Sequence, residues 1–203
     1  FRNVEFKEEL PPLNIYQEPH FHYREVPYIP NICLLGYFQS EKYFKEHEDH
    51  IRDIFSPDEE CVRLIKQKYS DLLSRTPVAI HVRRGDYLSA PLTHPIPPME
   101  YFRKSMNHYE KDTTFLIFSD DIAWCRKSFK GENIFFIENN SDYIDLYLIS
   151  LCRGVIISNS SFSWWGAWLN INSSKVIISP KKWFGPAANC DSRDLIPPEW
   201  RTI

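Results

Sequence analysis

Three short polar clusters, each directly after an apolar run, hold the side chains best suited to chemistry: His81-Val-Arg-Arg-Gly-Asp86, Ser119-Asp-Asp121 and Ser158-Asn-Ser-Ser-Phe-Ser163. Arg83 and Arg84 offer planar, permanently charged donors that match phosphate oxygens in pairs, so a diphosphate is their natural ligand. Asp86 would orient one guanidinium from behind, or cap the turn that follows. His81 shares a face of its run with Ala79 and Arg83. There it is either a structural histidine with its own partner or a ligand group, because an unpaired buried polar group costs on the order of 1–3 kcal/mol. The Arg84-Gly-Asp86 tripeptide also matches an adhesion motif, but three residues carry almost no specificity.

The acidic pair Asp120 and Asp121 follows Phe115-Leu-Ile-Phe118 and precedes a helical pattern, which makes one of them a natural N-cap. The other carboxylate could accept the paired N–H donors of a guanine, or the two could serve a divalent cation. In the third cluster one serine caps a helix, and Ser160 and Ser161 add hydroxyl donors at a helix N-terminus, where the dipole favours phosphate. Trp164, Trp165 and Trp168 could stack on a sugar. Phe162, Trp165 and Leu169, however, fall at the spacing of a packing face, so Trp165 is expected in the core.

These clusters need a scaffold that brings them together. From Pro77 onward, short β-branched runs alternate with helical patterns, the mark of parallel βαβ units. Strands are predicted at 78–82, 114–118, 133–137, 154–158 and 175–179, and helices near 98–109, 122–129, 143–152 and 162–170. The fold class is therefore α/β, a Rossmann-like parallel sheet with helices on both faces, and ligands of such sheets lie outside the carboxyl ends of the strands. Residues 76–203 form this domain. Residues 1–75 are a separate region: extended and proline-rich to about Pro30, a short strand at 32–36, helical intervals over 41–54, and a helix after Ser56-Pro-Asp58 with Cys61, Leu64, Ile65, Tyr69 and Leu72 on one face.

The chain has 203 residues, 43% hydrophobic content and a net charge of −3. That is enough to bury a core and gives no global attraction to nucleic acid or anionic membrane, so phosphate recognition must be local. Five scattered cysteines without a CxxC pair read as reduced, mostly buried thiols. No stretch has the length of a membrane-spanning helix, so no stable membrane insertion is expected.

Taken together, the three clusters, with Ser158 to Gly166 and the upstream block Gly36-Tyr-Phe-Gln-Ser-Glu-Lys-Tyr-Phe44, resemble the ordered motifs of the α-1,2-fucosyltransferases, glycosyltransferase family 11. The resemblance implies a GT-B-type, inverting enzyme that moves fucose from GDP-β-L-fucose to O2 of a terminal galactose on a glycan acceptor, without a metal or other cofactor. By position, His81 with Asp120 (or Asp121) would hold guanine, Arg83 with Ser161 the β-phosphate, and Arg84 and Asp86 would shape the loop. The family's GGLGNQM-like opening block is absent, so the N-terminal half is expected to be incomplete.

No carboxylate lies between Asp86 and Glu100, and the base that activates the acceptor is not visible; Glu18, His20 and His22 are candidates by type alone. An O- or core-type fucosyltransferase and a non-catalytic GDP-sugar-binding domain are the competing readings. Three glycosylation sequons, at Asn139, Asn159 and Asn172, leave a Golgi origin open. A bacterial enzyme in the cytoplasm, making surface glycans, is the simpler expectation.

Overall fold

The computed structural model describes residues 14–203, so the first part of the opening proline-rich segment lies outside the described residues. The chain divides into two compact units, one running to Ser56 and including Asn189–Pro197, the other made of Pro57–Ala188 with Pro198–Ile203.

In the first unit, strand β1 (Asn14–Gln17) pairs in parallel with β2 (Ile32–Leu35). The sequence gives no sign of β1, which is only four residues long and lies among prolines. The Glu18 carboxylate accepts the amides of Tyr37 (2.8 Å) and Phe38 (3.1 Å), which fixes the turn after β2. The helical pattern of 41–54 is broken into two 3-10 turns, Glu41–Tyr43 and Lys45–His47, and only then becomes helix α1 (Glu48–Ile54). Phe44, at φ −138°, leaves helical geometry and interrupts the run.

The second unit opens with α2 (Glu59–Leu73), whose first turn is capped by Asp58 accepting the Cys61 amide at 2.8 Å. Cys61, Ile65 and Tyr69 form its buried line, while Leu64 faces solvent. Lys68 and Tyr69 bond the Asn140 side chain, at 2.7 and 2.9 Å. The unit that carries the sheet thus begins at Pro57 rather than near residue 76, because α2 is fastened to it. The alternating segment follows: β3 (Val78–Val82), α3 (Met99–Met106), β4 (Phe115–Ser119), α4 (Ile122–Ser128), β5 (Ile134–Phe136), α5 (Asp142–Ser150), β6 (Gly154–Ile156), α6 (Ser161–Trp168), β7 (Val176–Ser179) and β8 (Arg201–Thr202). The strands and helices predicted from residue 77 onward are all present, with ends that differ by up to three residues. β8 is an addition, two residues too short to show a pattern.

All six strands are parallel, in the order β5-β4-β3-β6-β7-β8. The chain leaves β3 in one direction through β4 and β5, then returns to the other side of β3 with β6. That reversal is the switch point of a doubly wound sheet, and it opens a crevice at the carboxyl ends of β3 and β6. Every residue of β3 is buried. Val78, Ile80 and Val82 pack with Tyr101 and Phe102 of α3 and with Cys125 of α4, whereas His81, on the alternate face, meets Phe162 of α6. No disulfide joins the five cysteines; Cys61, Cys125 and Cys152 are buried.

Candidate functional site

The loops after β3, β4 and β6 meet at the switch point, so tertiary structure unites clusters separated by up to about eighty residues of sequence. His81 is 5% exposed, and its Nδ1 lies 2.9 Å from Ser158 Oγ. Burial pushes its imidazole down to about 4, with Arg83 adding in the same direction against the opposing pull of Asp120. It is therefore neutral at physiological pH, and it joins β3 to the serine loop.

Asp120 organises the loop that follows β3. Its Oδ1 accepts the Arg84 amide at 2.9 Å, and its Oδ2 accepts the Gly85 amide at 3.0 Å and pairs with Arg83 Nε at 3.2 Å. A Cβ at residue 85 would stand 2.7 Å from that same Oδ2, so the motif takes glycine because the carboxylate occupies the side chain's place. Asp86 accepts from Arg83 Nε at 2.9 Å, and that bond first, against a smaller opposing effect of burial and with the charges of Arg83 and His94 adding to it, holds its carboxyl below the usual carboxylate range.

Asp121 is the N-cap of α4: its Oδ1 accepts the Trp124 amide at 3.0 Å, and its Oδ2 pairs with Arg84 at 3.1 Å. The Trp124 bond and then the Arg84 bond are the main causes that hold its carboxyl low. Arg84 also lies over the Trp124 ring, 4.1 Å from the centroid. Arg84 is thus held down on α4, while Arg83 stays partly open at the crevice. Both acidic residues already face arginines and amides, and among the described residues no group of three His, Cys, Asp or Glu is placed to hold a metal ion.

On the β6 side, Ser160 occupies the N-cap of α6 without a side-chain capping bond. Ser163 instead turns its hydroxyl back to the Ser158 and Ser160 carbonyls. This leaves the first turn of α6, with the exposed Ser161, as a set of donors at the crevice. Asn159 is only 1% exposed and donates to the Trp183 carbonyl at 2.8 Å, so it is packed away from any glycan-attaching enzyme. Tyr87 donates to the Asn159 carbonyl at 2.8 Å, tying the β3 loop to the β6 loop.

The tryptophans reverse one expectation. Trp164 and Trp168 are buried, with stacked rings 6.4 Å apart, and Trp165 is the half-buried one. The packing face of α6 is set by its contact with α5, where Gly166 fits against Ile149, and spacing along one helix does not reveal that. Glu18, His20 and His22 belong to the other compact unit, and Glu18 is committed to the turn after β2.

Sequence reasoning overlooked His94. The segment Thr93-His94-Pro95 follows the motif with no pattern of its own, and the fold returns its ring to the motif, stacked on Tyr87 at 4.7 Å.

No helix among the described residues is long and apolar enough to cross a membrane. An α-1,2-colitosyltransferase of Escherichia coli is 37% identical over 186 residues, which cover 85% of this chain and 63% of that protein. The O-antigen biosynthesis glycosyltransferase WbnK of Escherichia coli is 34% identical over 166 residues, 75% of this chain and 55% of that protein. Galactoside α-(1,2)-fucosyltransferase 1 of Ateles belzebuth is 27% identical over 158 residues, covering 69% and 43%. The chain thus spans between 43% and 63% of the length of these relatives. The model of glycosyl transferase family 11 matches residues 13–203, which include all of the described residues and all three strand-end clusters, and the chain belongs to that family.

Proposed function

We propose that the sheet-bearing unit is the donor-binding half of a GT-B-type, inverting α-1,2-glycosyltransferase, which moves L-fucose from GDP-β-L-fucose to O2 of a terminal galactose. The observation that carries this reading is that Arg83, beyond β3, and the open first turn of α6, beyond β6, lie at the carboxyl ends of two neighbouring parallel strands, a cation and a row of donors where a diphosphate would sit. In this reading Arg83 and Ser161 bind the β-phosphate, helped by Ser160, His81 lies on the guanine side, and Asp120 holds the loop that presents Arg83. Arg84 and Asp86 keep the loop in shape.

Departure of the diphosphate concentrates negative charge on its oxygens, so donors aimed there stabilise the transition state more than the ground state. Arginines supply the positive charge that a divalent cation supplies elsewhere. Residues 76–203 form the donor domain, extended by α2, and the region before it belongs to the acceptor-side half. The two Escherichia coli relatives support a bacterial setting and an acceptor among surface glycans, for which we place the enzyme in the cytoplasm.

A second reading changes only the sugar. The colitosyltransferase relative favours colitose in place of fucose, with the α-1,2 linkage kept. The deciding experiment incubates the full-length enzyme with GDP-fucose or GDP-colitose and a panel of galactose-terminated acceptors, with and without EDTA, and determines the linkage by NMR. The expected product is α-1,2-linked and forms equally well in EDTA. Transfer to a different position, or transfer that stops in EDTA, defeats the proposal.

A further inference from the structure

The transfer reaction proposed above needs a group to take the proton from the acceptor hydroxyl, and the carboxylates of the β3 and β4 loops are already engaged. Asp86 is bound to Arg83, Asp120 to Arg83 and two backbone amides, and Asp121 to Arg84 and the Trp124 amide. His81 is buried beneath them against Ser158.

His94 differs from all of these. Its amide donates to the Ala90 carbonyl at 2.8 Å, which closes the turn that brings the ring back over Tyr87. The two rings are stacked 4.7 Å apart at 20°, and Phe184, from the segment after β7, lies 6.0 Å away on a tilt. The Arg83 guanidinium lies against the same Tyr87, 5.9 Å from its centroid. A group held on Tyr87 is therefore held close to the Arg83 that would bind the leaving group.

The support behind this ring is rigid. Gly185 and Ala187 donate to the Thr93 and Leu92 carbonyls at 2.9 and 3.0 Å, and a Cβ on Gly185 would come within 2.1 Å of the Leu92 oxygen. Tyr87 and Asp86 are the titratable groups that face His94 from the motif, with Arg83 behind them. The segment after β7 contributes Phe184 and carries Lys181 and Lys182 just before it.

We propose that His94 is the general base of the transfer, on an acceptor subsite walled by Tyr87, His94 and Phe184, whose rings suit the apolar face of a hexose. The acceptor oxygen attacks the anomeric carbon and its proton passes to an imidazole nitrogen of His94. The bond from that carbon to the β-phosphate oxygen breaks, its electron pair leaves with GDP, and Arg83 takes up the charge.

The test uses the full-length enzyme with His94→Gln, and with His94→Phe, which keeps a ring on Tyr87. Both should keep wild-type affinity for GDP in calorimetry and lose kcat by about 10²-fold or more. In the wild type, kcat should fall on acidification as the base takes up a proton before the acceptor can give it one, and that limb should vanish in both variants. Near-normal turnover by either variant overturns the base, as does a lowered kcat that keeps the acidic limb, the mark of a positioning role. Wild-type enzyme that releases GDP from neither sugar nucleotide with any galactose-terminated acceptor overturns the transferase reading and the base together.

Discussion

Asp120 shows how much a single residue's role depends on its partners. The sequence offers it as a guanine reader, yet both its oxygens hold the loop that presents Arg83. Asp120→Asn replaces one acceptor with an NH₂ group that faces another donor, and a hydrogen bond to a charged group contributes about 1.5–3 kcal/mol. GDP and inosine diphosphate should therefore both bind roughly 10- to 100-fold more weakly in calorimetry. A loss confined to GDP would mean that Asp120 reads the 2-amino group instead. His81 makes a different prediction. Its folded-state value of about 4 lies below the ordinary histidine value of about 6.5, so the unfolded chain binds the extra proton first as pH falls. Its contribution is complete above about pH 6.5 and is lost as pH drops toward about 4, amounting to about 3 kcal/mol at most. Urea unfolding followed between those limits should show a shallower pH dependence for His81→Gln than for wild type; parallel curves would rule the linkage out.

At the scale of elements, the crevice depends on α6 being brought to the sheet edge at a fixed height, and its closest seat is on α5. At Gly166 a Cβ would stand 2.7 Å from Ile149 Cγ2 and 3.1 Å from Ile149 Cβ. Gly166→Ala gains about 1 kcal/mol of helix propensity, against about 1–3 kcal/mol for overpacking a filled core. The net expectation is a loss of stability in denaturant unfolding, with GDP affinity lowered as the first turn of α6 shifts. A stabilised variant would mean that α5 and α6 separate at no cost. The alternation of β-branched runs and helical patterns is legible because the central strands are buried on both faces. The 41–54 segment misleads because its period continues through Phe44, where the backbone leaves the helix, and β8 is too short to carry a pattern.

For the molecule as a whole, the two units differ in what covers their strands. β3 lies inside a six-stranded sheet with every residue buried, whereas β1 and β2 form, among the described residues, a two-stranded parallel sheet that exposes Ile15, Leu34 and Leu35. Two strands alone bury too little to resist opening. Native-state hydrogen exchange should find the slowest amides in β3, β4 and β6 and much faster exchange in β1 and β2. Equal protection in both sheets would contradict this ranking.

Residue types alone mark His81 to Asp86 as a candidate phosphate segment, since paired arginines after a buried strand suit a diphosphate. The parallel sheet was equally legible, because burial on both faces writes itself into consecutive β-branched residues. Composition and spacing could not say which carboxylate serves which arginine. Those pairings join β3 to β4 across 36 or 37 residues of sequence, and only the strand order brings them within 3.2 Å. Nor could they find His94, whose importance lies in being folded back onto Tyr87 by a turn and a neighbouring loop. Local pattern determines which segments are strands and helices, because that depends on near neighbours. Which strand ends share a crevice is a property of the sheet, and the tertiary structure decided it.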